Sequence, residues 1–276
     1  MKKVLILGAS GCVGGALLQE LASRDGYEIF GTYCRHPLTV PGTELFFMDT
    51  ADTVASLASI RRICPDGIIA CQIQRSGNFN SQFLFHRGLA EYAEKAGCTV
   101  YFCSTANAVK KDLNGPYRED CPLRPDCEYG EYKAKCESMY LERIPDGVCI
   151  MRLPQIWGAQ SRHLSRLIQS AENGDEIELY PNLVFNVNSD RVLARQIAFL
   201  IERRFTGIVH LAASDTVRYS DFIMQLLNRL GYRKSKFAEY PESGNTALLS
   251  DVTVTWPREL QTTNQAVADE IIENCR

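Results

Sequence analysis

The sequence predicts an α/β fold in which a doubly wound parallel sheet carries a smaller C-terminal lobe. Short runs that are almost wholly apolar, such as residues 4–7 and 148–153, alternate with segments whose apolar residues recur at helical spacing. Strands that crossover helices bury on both faces have this near-continuous apolar character. Beyond Pro154 the alternation weakens, which predicts that the lobe grows from the second half of the chain.

The first half of the chain has the clearest alternation of elements. Strands are predicted at residues 4–7, 27–33, 44–48, 67–72 and 99–103, because each is a short apolar run. Helices are predicted between them at 12–23, 52–63 and about 80–96, and Gly97 would close the last of these.

The second half begins with a polar stretch at 110–125, where Gly115-Pro116, Pro122 and Pro125 predict an exposed loop. Helices are predicted at 129–143, about 163–173, 192–203 and 220–230, and strands at 148–153, 177–180 and 208–211. Residues 234–257 show little periodicity and support no assignment. We therefore predict a main unit from residues 1–153 with about 184–212, and a lobe from about 154–183 with 213–276.

Composition excludes several functional classes. The 276 residues include 30 Lys and Arg against 33 Asp and Glu, and the net charge of −3 gives no electrostatic footprint for nucleic acid. No stretch approaches the ~18 apolar residues of a membrane span. Eleven cysteines without a CxxC pair predict free thiols in the cytoplasm, and the four histidines have no ligand spacing, so we expect no metal.

A glycine-rich turn stands between the first predicted strand and the first predicted helix. Glycines occupy positions 8, 11 and 14, with Ser10, Cys12 and Val13 among them. A pyrophosphate approaches the backbone N–H groups at such a helix N-terminus, and a β-carbon would block it. The motif therefore predicts a dinucleotide site in a Rossmann-type fold; the alternative is a turn that only lets helix pack on strand.

The residues after strand two bear on the choice of cofactor. An NAD site usually places a carboxylate there for the ribose 2′-hydroxyl, whereas this chain has Arg35 and no acid nearby. Arg35 could pair with a 2′-phosphate, which favours NADP and leaves NAD as the alternative. A solvated arginine is the other interpretation. Asp49 is placed to meet the adenine, or to cap the following helix.

Tyr129 and Lys133 lie four residues apart, on one face of a predicted helix. A lysine charge stabilises a phenolate, so this pair suits proton transfer at neutral pH. The hydroxyl of Thr105, after strand five, would hold a carbonyl or alcohol beside it. Tyr232 and Lys236 have the same spacing but follow Gly231 and lack such a hydroxyl, which indicates a chance pair.

These residues together resemble the extended short-chain dehydrogenase/reductases, specifically the NAD-dependent epimerase/dehydratase family. Within it, Gly115-Pro116-Tyr117-Arg118-Glu119-Asp120 and the Tyr129, Lys133 and Glu137 positions are similar to the dTDP-4-dehydrorhamnose reductase branch, over roughly residues 1–212. The resemblance implies that the segment from Arg152 to Gly158, including Pro154 and Ile156, faces the nicotinamide. It also implies a homodimer paired through helices that flank the sheet.

The chain departs from the branch pattern where the walls around a substrate would lie. Ala106-Asn107-Ala108-Val109 replaces Asp-Tyr-Val-Phe, and Ala70-Cys71-Gln72 replaces Asn-Ala or Asn-Cys. The expected function is an NAD(P)-dependent oxidoreductase that acts on a carbonyl or hydroxyl of a nucleotide sugar or similar small molecule. The alternatives are a cofactor-recycling sugar-nucleotide epimerase or dehydratase and a non-catalytic NADP-binding regulatory subunit.

Overall fold

The structure of the chain is a computed structural model that describes residues 1–72, 79–158, 161–250 and 255–275. Within these ranges the strands, in chain order, are β1 (Lys2–Leu7), β2 (Tyr27–Tyr33), β3 (Thr43–Phe47), β4 (Gly67–Ala70), β5 (Thr99–Thr105), β6 (Val148–Leu153), β7 (Gln155–Trp157), β8 (Glu176–Leu179), β9 (Asn182–Phe185), β10 (Val187–Ser189), β11 (Gly207–His210), β12 (Val217–Arg218), β13 (Lys236–Glu239) and β14 (Ser243–Asn245).

The α-helices of the same ranges are α1 (Cys12–Ala22), α2 (Thr53–Ile63), α3 (Phe79–Ala96), α4 (Glu128–Arg143), α5 (Arg162–Asn173), α6 (Asp190–Arg203), α7 (Tyr219–Leu230) and α8 (Asn264–Asn274). Local sequence explains several of their ends. Ser161 caps α5 by accepting a hydrogen bond from the Leu164 N–H at 3.2 Å. Gly174 and Gly231 end α5 and α7 with φ of +72° and +97°, the left-handed conformation that glycine adopts freely.

Seven strands form one parallel sheet in the order β11-β6-β5-β4-β1-β2-β3. Helices α1 and α6 cover one face and α2, α3 and α4 the other, each over its own cluster of buried apolar side chains. The carboxyl ends of β1, β4, β5 and β6 consequently meet at one edge. The predicted fold class, a Rossmann-type doubly wound sheet with a smaller C-terminal lobe, is confirmed.

A separate apolar cluster lies in the C-terminal part, where α5, α7 and α8 pack around Trp157, Phe185 and Phe222. Its strands form small sheets: β7 with β10, β8 with β13, and β9 between β12 and β14. Among the helices of the described ranges, none has the length and apolar character that a membrane span needs.

Most predicted elements agree with the structure to within one or two residues at each end, but several short strands and α8 were not predicted. The missed strands have two to four residues, too few for a period to show. Two of them, β13 and β14, lie in the stretch of 234–257 that supported no assignment, of which residues 251–254 are outside the described ranges.

Candidate functional site

The glycine-rich turn joins β1 to α1, and a β-carbon would meet different surroundings at each of its three glycines. Gly8 has φ +79°, and a β-carbon there would lie 2.8 Å from the Cα of Gln72. A β-carbon on Gly14 would fall on the carbonyl oxygen of Gly8, so this glycine lets α1 pack on the turn. Gly11 is exposed with an ordinary φ of −84°, and its β-carbon would meet only the Gly8 oxygen, at 3.3 Å. Internal packing therefore does not require glycine at position 11.

The start of α1 is open toward solvent. Gly11 is the N-cap residue and no side chain caps the helix, while Ser10 is exposed and Val13 is buried in the core. The Cys12 thiol lies 3.5 Å from the Asp190 carboxylate. Burial and that carboxylate raise the pKa of Cys12 to about 12, so no thiolate opposes an anion at this turn. The uncapped N–H groups can bind a phosphate.

Arg35 and Asp49 lie near the same edge of the sheet, after β2 and β3, and both are exposed. The Asp49 side chain accepts a hydrogen bond from the Ala51 N–H at 2.9 Å. The N-cap of α2 is Asp52, whose carboxylate accepts from the Ala55 N–H. Asp49 thus shapes the turn before α2 without being its cap, and the roles of Arg35 and Asp49 toward a cofactor stay predictions.

Thr105 ends β5 and is brought close to the start of α4 by tight packing. Its hydroxyl oxygen accepts a hydrogen bond from the Asn107 N–H at 3.3 Å. A β-carbon on Gly130 would fall on the carbonyl oxygen of Asn107, so only glycine allows α4 to lie this close. Tyr129, next to Gly130, is thereby held beside the end of β5.

Lys133 is almost fully buried, with 1% of its surface exposed. Its ammonium donates a hydrogen bond to the Cys103 carbonyl oxygen at 2.8 Å and lies 4.4 Å from the Phe102 ring centre. The Tyr129 ring centre is 5.9 Å from the ammonium nitrogen. Across the described part of the chain, no carboxylate lies within ion-pair distance of it. A buried ammonium with three donors and one protein acceptor is costly unless a ligand supplies the rest.

The segment after β6 continues along the same edge. Thr105 stands opposite Leu153 in the register of β5 and β6, so Pro154 follows directly beside it. Ile156 lies in β7, opposite Asn188, and both Pro154 and Ile156 are half-buried. Their predicted contact with a nicotinamide stays a prediction.

The second tyrosine and lysine pair does not form a comparable site. Tyr232 lies in the turn after α7, whereas Lys236 begins β13, so no helix carries both residues. The Tyr232 hydroxyl donates to the Glu172 carboxylate at 2.9 Å on the surface.

A buried ion pair behind Thr105 was missed by the sequence reasoning. The Arg152 guanidinium binds the Glu137 carboxylate at 2.9 Å, and Ser104 donates a hydrogen bond to the same carboxylate. Arg152 also donates to the Glu119 carbonyl oxygen at 3.2 Å and lies 3.4 Å from His210. The available signal was an arginine within the otherwise apolar run of β6.

The loop between β5 and α4 is fastened at its two ends. The Arg124 N–H donates to the Ala108 oxygen at 2.8 Å, and the Lys111 N–H donates to the Arg124 oxygen at 3.0 Å. Midway, the Tyr117 N–H donates to the Ala247 oxygen at 2.8 Å. The loop thus spans from the edge of the large sheet to the C-terminal part.

These features define a Rossmann-type α/β protein whose candidate site lies at the carboxyl edge of the large sheet. The family model for the NAD dependent epimerase/dehydratase family matches residues 4–185. The chain therefore belongs to the NAD-dependent epimerase/dehydratase family, and the predicted class of NAD(P)-dependent enzyme is confirmed.

The chain is similar, at low sequence identity, to a curated relative and to solved structures. The chain is 20% identical over 235 residues to a dTDP-4-dehydrorhamnose reductase of Aggregatibacter actinomycetemcomitans, covering 83% of this chain and 79% of the relative. A crystal structure of dTDP-4-dehydrorhamnose reductase from Bacillus anthracis in complex with NADP superposes with a TM-score of 0.80, at 17% identity over 99% of both chains. The enzyme WbmH of Bordetella bronchiseptica in complex with NAD+ gives 0.79, at 18% identity over 97% of this chain and 96% of that one.

Proposed function

We propose that the protein is an NADP-dependent oxidoreductase that acts on a carbonyl or hydroxyl group of a nucleotide sugar or a similar small molecule. The observation that carries this proposal is the buried Lys133 ammonium, which has one protein hydrogen bond and lies beside Tyr129 at the carboxyl edge of the sheet. Such a cation stabilises a phenolate and offers its remaining donors to ligand hydroxyls. The relatives that act on nucleotide-linked sugars support the class of substrate.

Each of the three side chains has a distinct role in this proposal. Thr105 donates its hydroxyl proton to the substrate oxygen, because the bond that it accepts from Asn107 leaves that proton free. Tyr129 transfers the proton to or from the same oxygen. Lys133 lowers the energy of the phenolate and holds a ribose of the cofactor. A bound nicotinamide dinucleotide would supply or accept the hydride.

The residues of the glycine-rich turn fit a dinucleotide. Gly11 leaves the backbone open where α1 begins, and no side chain caps that helix. The absence of an acid after β2 and the exposed Arg35 support NADP over NAD. Gly8, Ser10, Gly11, Cys12, Val13 and Gly14 would line the pyrophosphate, Asp49 the adenine, and Pro154 and Ile156 the nicotinamide.

We also propose the division of the chain into a dinucleotide-binding domain, residues 1–153 with about 184–212, and a substrate lobe, about 154–183 with 213–276. The separate apolar cluster around Trp157 and Phe222 supports a lobe with its own core. The implied homodimer is not needed for this chemistry, since one chain carries all the groups named above.

The deciding experiment is a screen of nucleotide sugars for oxidation of NADPH, run with the wild type and with Lys133→Met. We expect one or more sugars to be reduced by the wild type and none by the variant. NADPH binding by calorimetry without turnover of any sugar would indicate the non-catalytic subunit. Interconversion of sugar epimers without net NADPH oxidation would indicate the epimerase, and absence of dinucleotide binding would contradict the proposal.

A further inference from the structure

Two buried side-chain polar atoms in the described part of the chain have no hydrogen-bond partner: the amide oxygen of Gln72 and the indole nitrogen of Trp157. Buried polar groups are nearly always paired, because an unpaired one forfeits its hydration. Gln72 follows β4 at the carboxyl edge of the large sheet, which is the edge of the candidate site. The unpaired amide oxygen therefore belongs to a residue at the edge where the candidate site lies.

Gln72 is in close contact with the glycine-rich turn. The Cys71 N–H donates to the Leu7 oxygen at 3.0 Å, which continues the pairing of β4 with β1. A β-carbon on Gly8 would lie 2.8 Å from the Cα and 2.9 Å from the nitrogen of Gln72. The β-carbon of Gln72 is 3.2 Å from the same point, so a ligand seated against Gly8 lies near the residue at which this side chain begins.

The other side of the amide faces a short chain of buried polar groups. The Gln72 amide nitrogen lies 3.4 Å from His86 Nε2, and His86 Nδ1 lies 2.8 Å from the Tyr140 hydroxyl. Burial, and secondarily the Lys133 charge, hold the pKa of His86 well below its usual range, so this imidazole is neutral. A neutral imidazole donates through one nitrogen and accepts through the other.

One end of the Gln72 amide stays unpaired in either orientation. If Tyr140 accepts from His86 Nδ1, then His86 Nε2 accepts from the Gln72 amide nitrogen, and the amide oxygen has no partner. If Tyr140 donates instead, His86 Nε2 donates to the turned amide oxygen, and the amide N–H groups have no partner. The last torsion of glutamine is broad, so the amide can turn at little cost.

We propose that Gln72 is a further nucleotide-binding residue, whose side-chain amide turns to hydrogen-bond a ribose hydroxyl of a dinucleotide seated against Gly8. This inference rests on the proposed dinucleotide binding. A ribose hydroxyl both donates and accepts, so it matches the amide in either orientation, whereas a phosphate only accepts. The ribose hydroxyl would thus pair the end of the amide that the protein itself leaves without a partner.

The test compares Gln72→Met with the matched control Gln196→Met. Gln196 is a buried glutamine whose amide oxygen and nitrogen each have a partner, Asn188 at 2.9 Å and the Leu260 oxygen at 2.8 Å. Affinity for NADPH and NADH is measured by calorimetry, and the thermal midpoint is measured without ligand. We expect Gln72→Met to weaken dinucleotide binding by about 3- to 10-fold, the value of one hydrogen bond. The thermal midpoint should change little, because the substitution removes the unpaired amide oxygen but leaves Nε2 of His86 without a partner. Gln196→Met should lower the midpoint and leave affinity unchanged.

NADH analogues that each lack one ribose hydroxyl locate the contact. One of these analogues should bind the wild type less tightly than NADH does. The same analogue and NADH should bind Gln72→Met equally tightly. Full affinity in Gln72→Met, or no analogue with this coupling, would overturn the inference while leaving the proposed function intact. A wild type that binds no dinucleotide would overturn both. Should Gln72→Met not fold, Gln72→Ala answers the same question with a smaller side chain.

Discussion

The Glu137 carboxylate and the Arg152 guanidinium form an ion pair of 2.9 Å in which both side chains are almost completely buried. Glu137 lies one helical turn after Lys133 on α4, and Arg152 lies in β6, two residues before Pro154. The pair therefore connects the helix that carries the proposed proton-transfer residues to the strand beside Thr105. Breaking such a pair leaves an uncompensated charge in the interior.

We expect Glu137→Gln to lower the free energy of unfolding by about 3 to 5 kcal/mol, the usual cost of removing one partner of a buried pair. Urea denaturation at neutral pH measures it. Glu94→Gln is the control, because Glu94 pairs with Arg143 on the surface and such pairs contribute about 0 to 1 kcal/mol. Equal losses in the two variants would contradict the assignment of Glu137 to a stabilising buried pair.

Gly11→Val should abolish dinucleotide binding while the chain remains folded, because the new side chain occupies the approach to α1 and its β-carbon meets only the Gly8 oxygen within the protein. Calorimetric titration and circular dichroism check the two halves of this expectation. Gly14→Ala should behave differently and lose stability, since its β-carbon collides with the Gly8 carbonyl oxygen. Unchanged affinity in a folded Gly11→Val variant would show that no phosphate binds there.

NADPH should bind more tightly than NADH, and Arg35→Ala should reduce that preference by about 1 to 3 kcal/mol, the range for a hydrogen bond to a charged group. The side chain is exposed after β2, so its removal should leave the fold intact. The measurement is the difference between the two binding free energies. A wild type that prefers NADH, or equal weakening of both cofactors, would contradict a 2′-phosphate contact.

Tyr129→Phe should retain cofactor binding and lose turnover by ~10²-fold or more, because only the transferable proton is removed. Lys133→Met should impair both, since the ammonium is proposed to hold the ribose as well. Tyr232→Phe is the control and should change neither, because that hydroxyl binds Glu172 on the surface. Steady-state kinetics with the sugar found in the screen decide between these outcomes. Full activity of Tyr129→Phe would show that the tyrosine and lysine spacing arose by chance.

Stability should fall as the pH drops below about 6.5 because of His86. Burial lowers the pKa of His86 in the folded protein, so the unfolded chain takes up this proton first. The free energy of unfolding should therefore fall by up to ~1.4 kcal/mol for each pH unit. His86→Phe should flatten the dependence of unfolding free energy between pH 7 and 5. His36→Gln, at an exposed position, should keep it.

Much of the fold could be predicted because long elements leave a periodic signal. Apolar patterns predict the strands of the large sheet, as short apolar runs, and helices α1 to α7, as apolar residues at helical spacing. The short strands β9, β10, β12 and β14 depend instead on pairing with distant segments, as Asn182 with Ser243 shows. Sequence spacing carries no information about such partners.

The candidate site also has features that the local sequence determines and features that depend on contacts between distant segments. The placement of Gly11 at the start of α1 and of Tyr129 and Lys133 on α4 could be predicted, because it depends on local spacing in the sequence, while their roles stay predictions. The unpaired Gln72 amide and the ion pair of Glu137 with Arg152 could not, since both result from the crossing of separate strands and helices. The charged Arg152 inside the apolar strand β6 indicates that a partner exists, but the sequence does not show which residue it is.

The loop between β5 and α4 is tied at its base by the backbone bonds of Lys111 and Arg124, while Gly130 fixes the helix against Asn107. Exposed residues of this loop, such as Asp112 and Asp120, can therefore change without displacing Thr105 or Tyr129, whereas the buried Glu119 is held by its bond to Arg152. In evolutionary terms, the protein can acquire a new preference among substrates through this loop while its reaction chemistry is inherited unchanged.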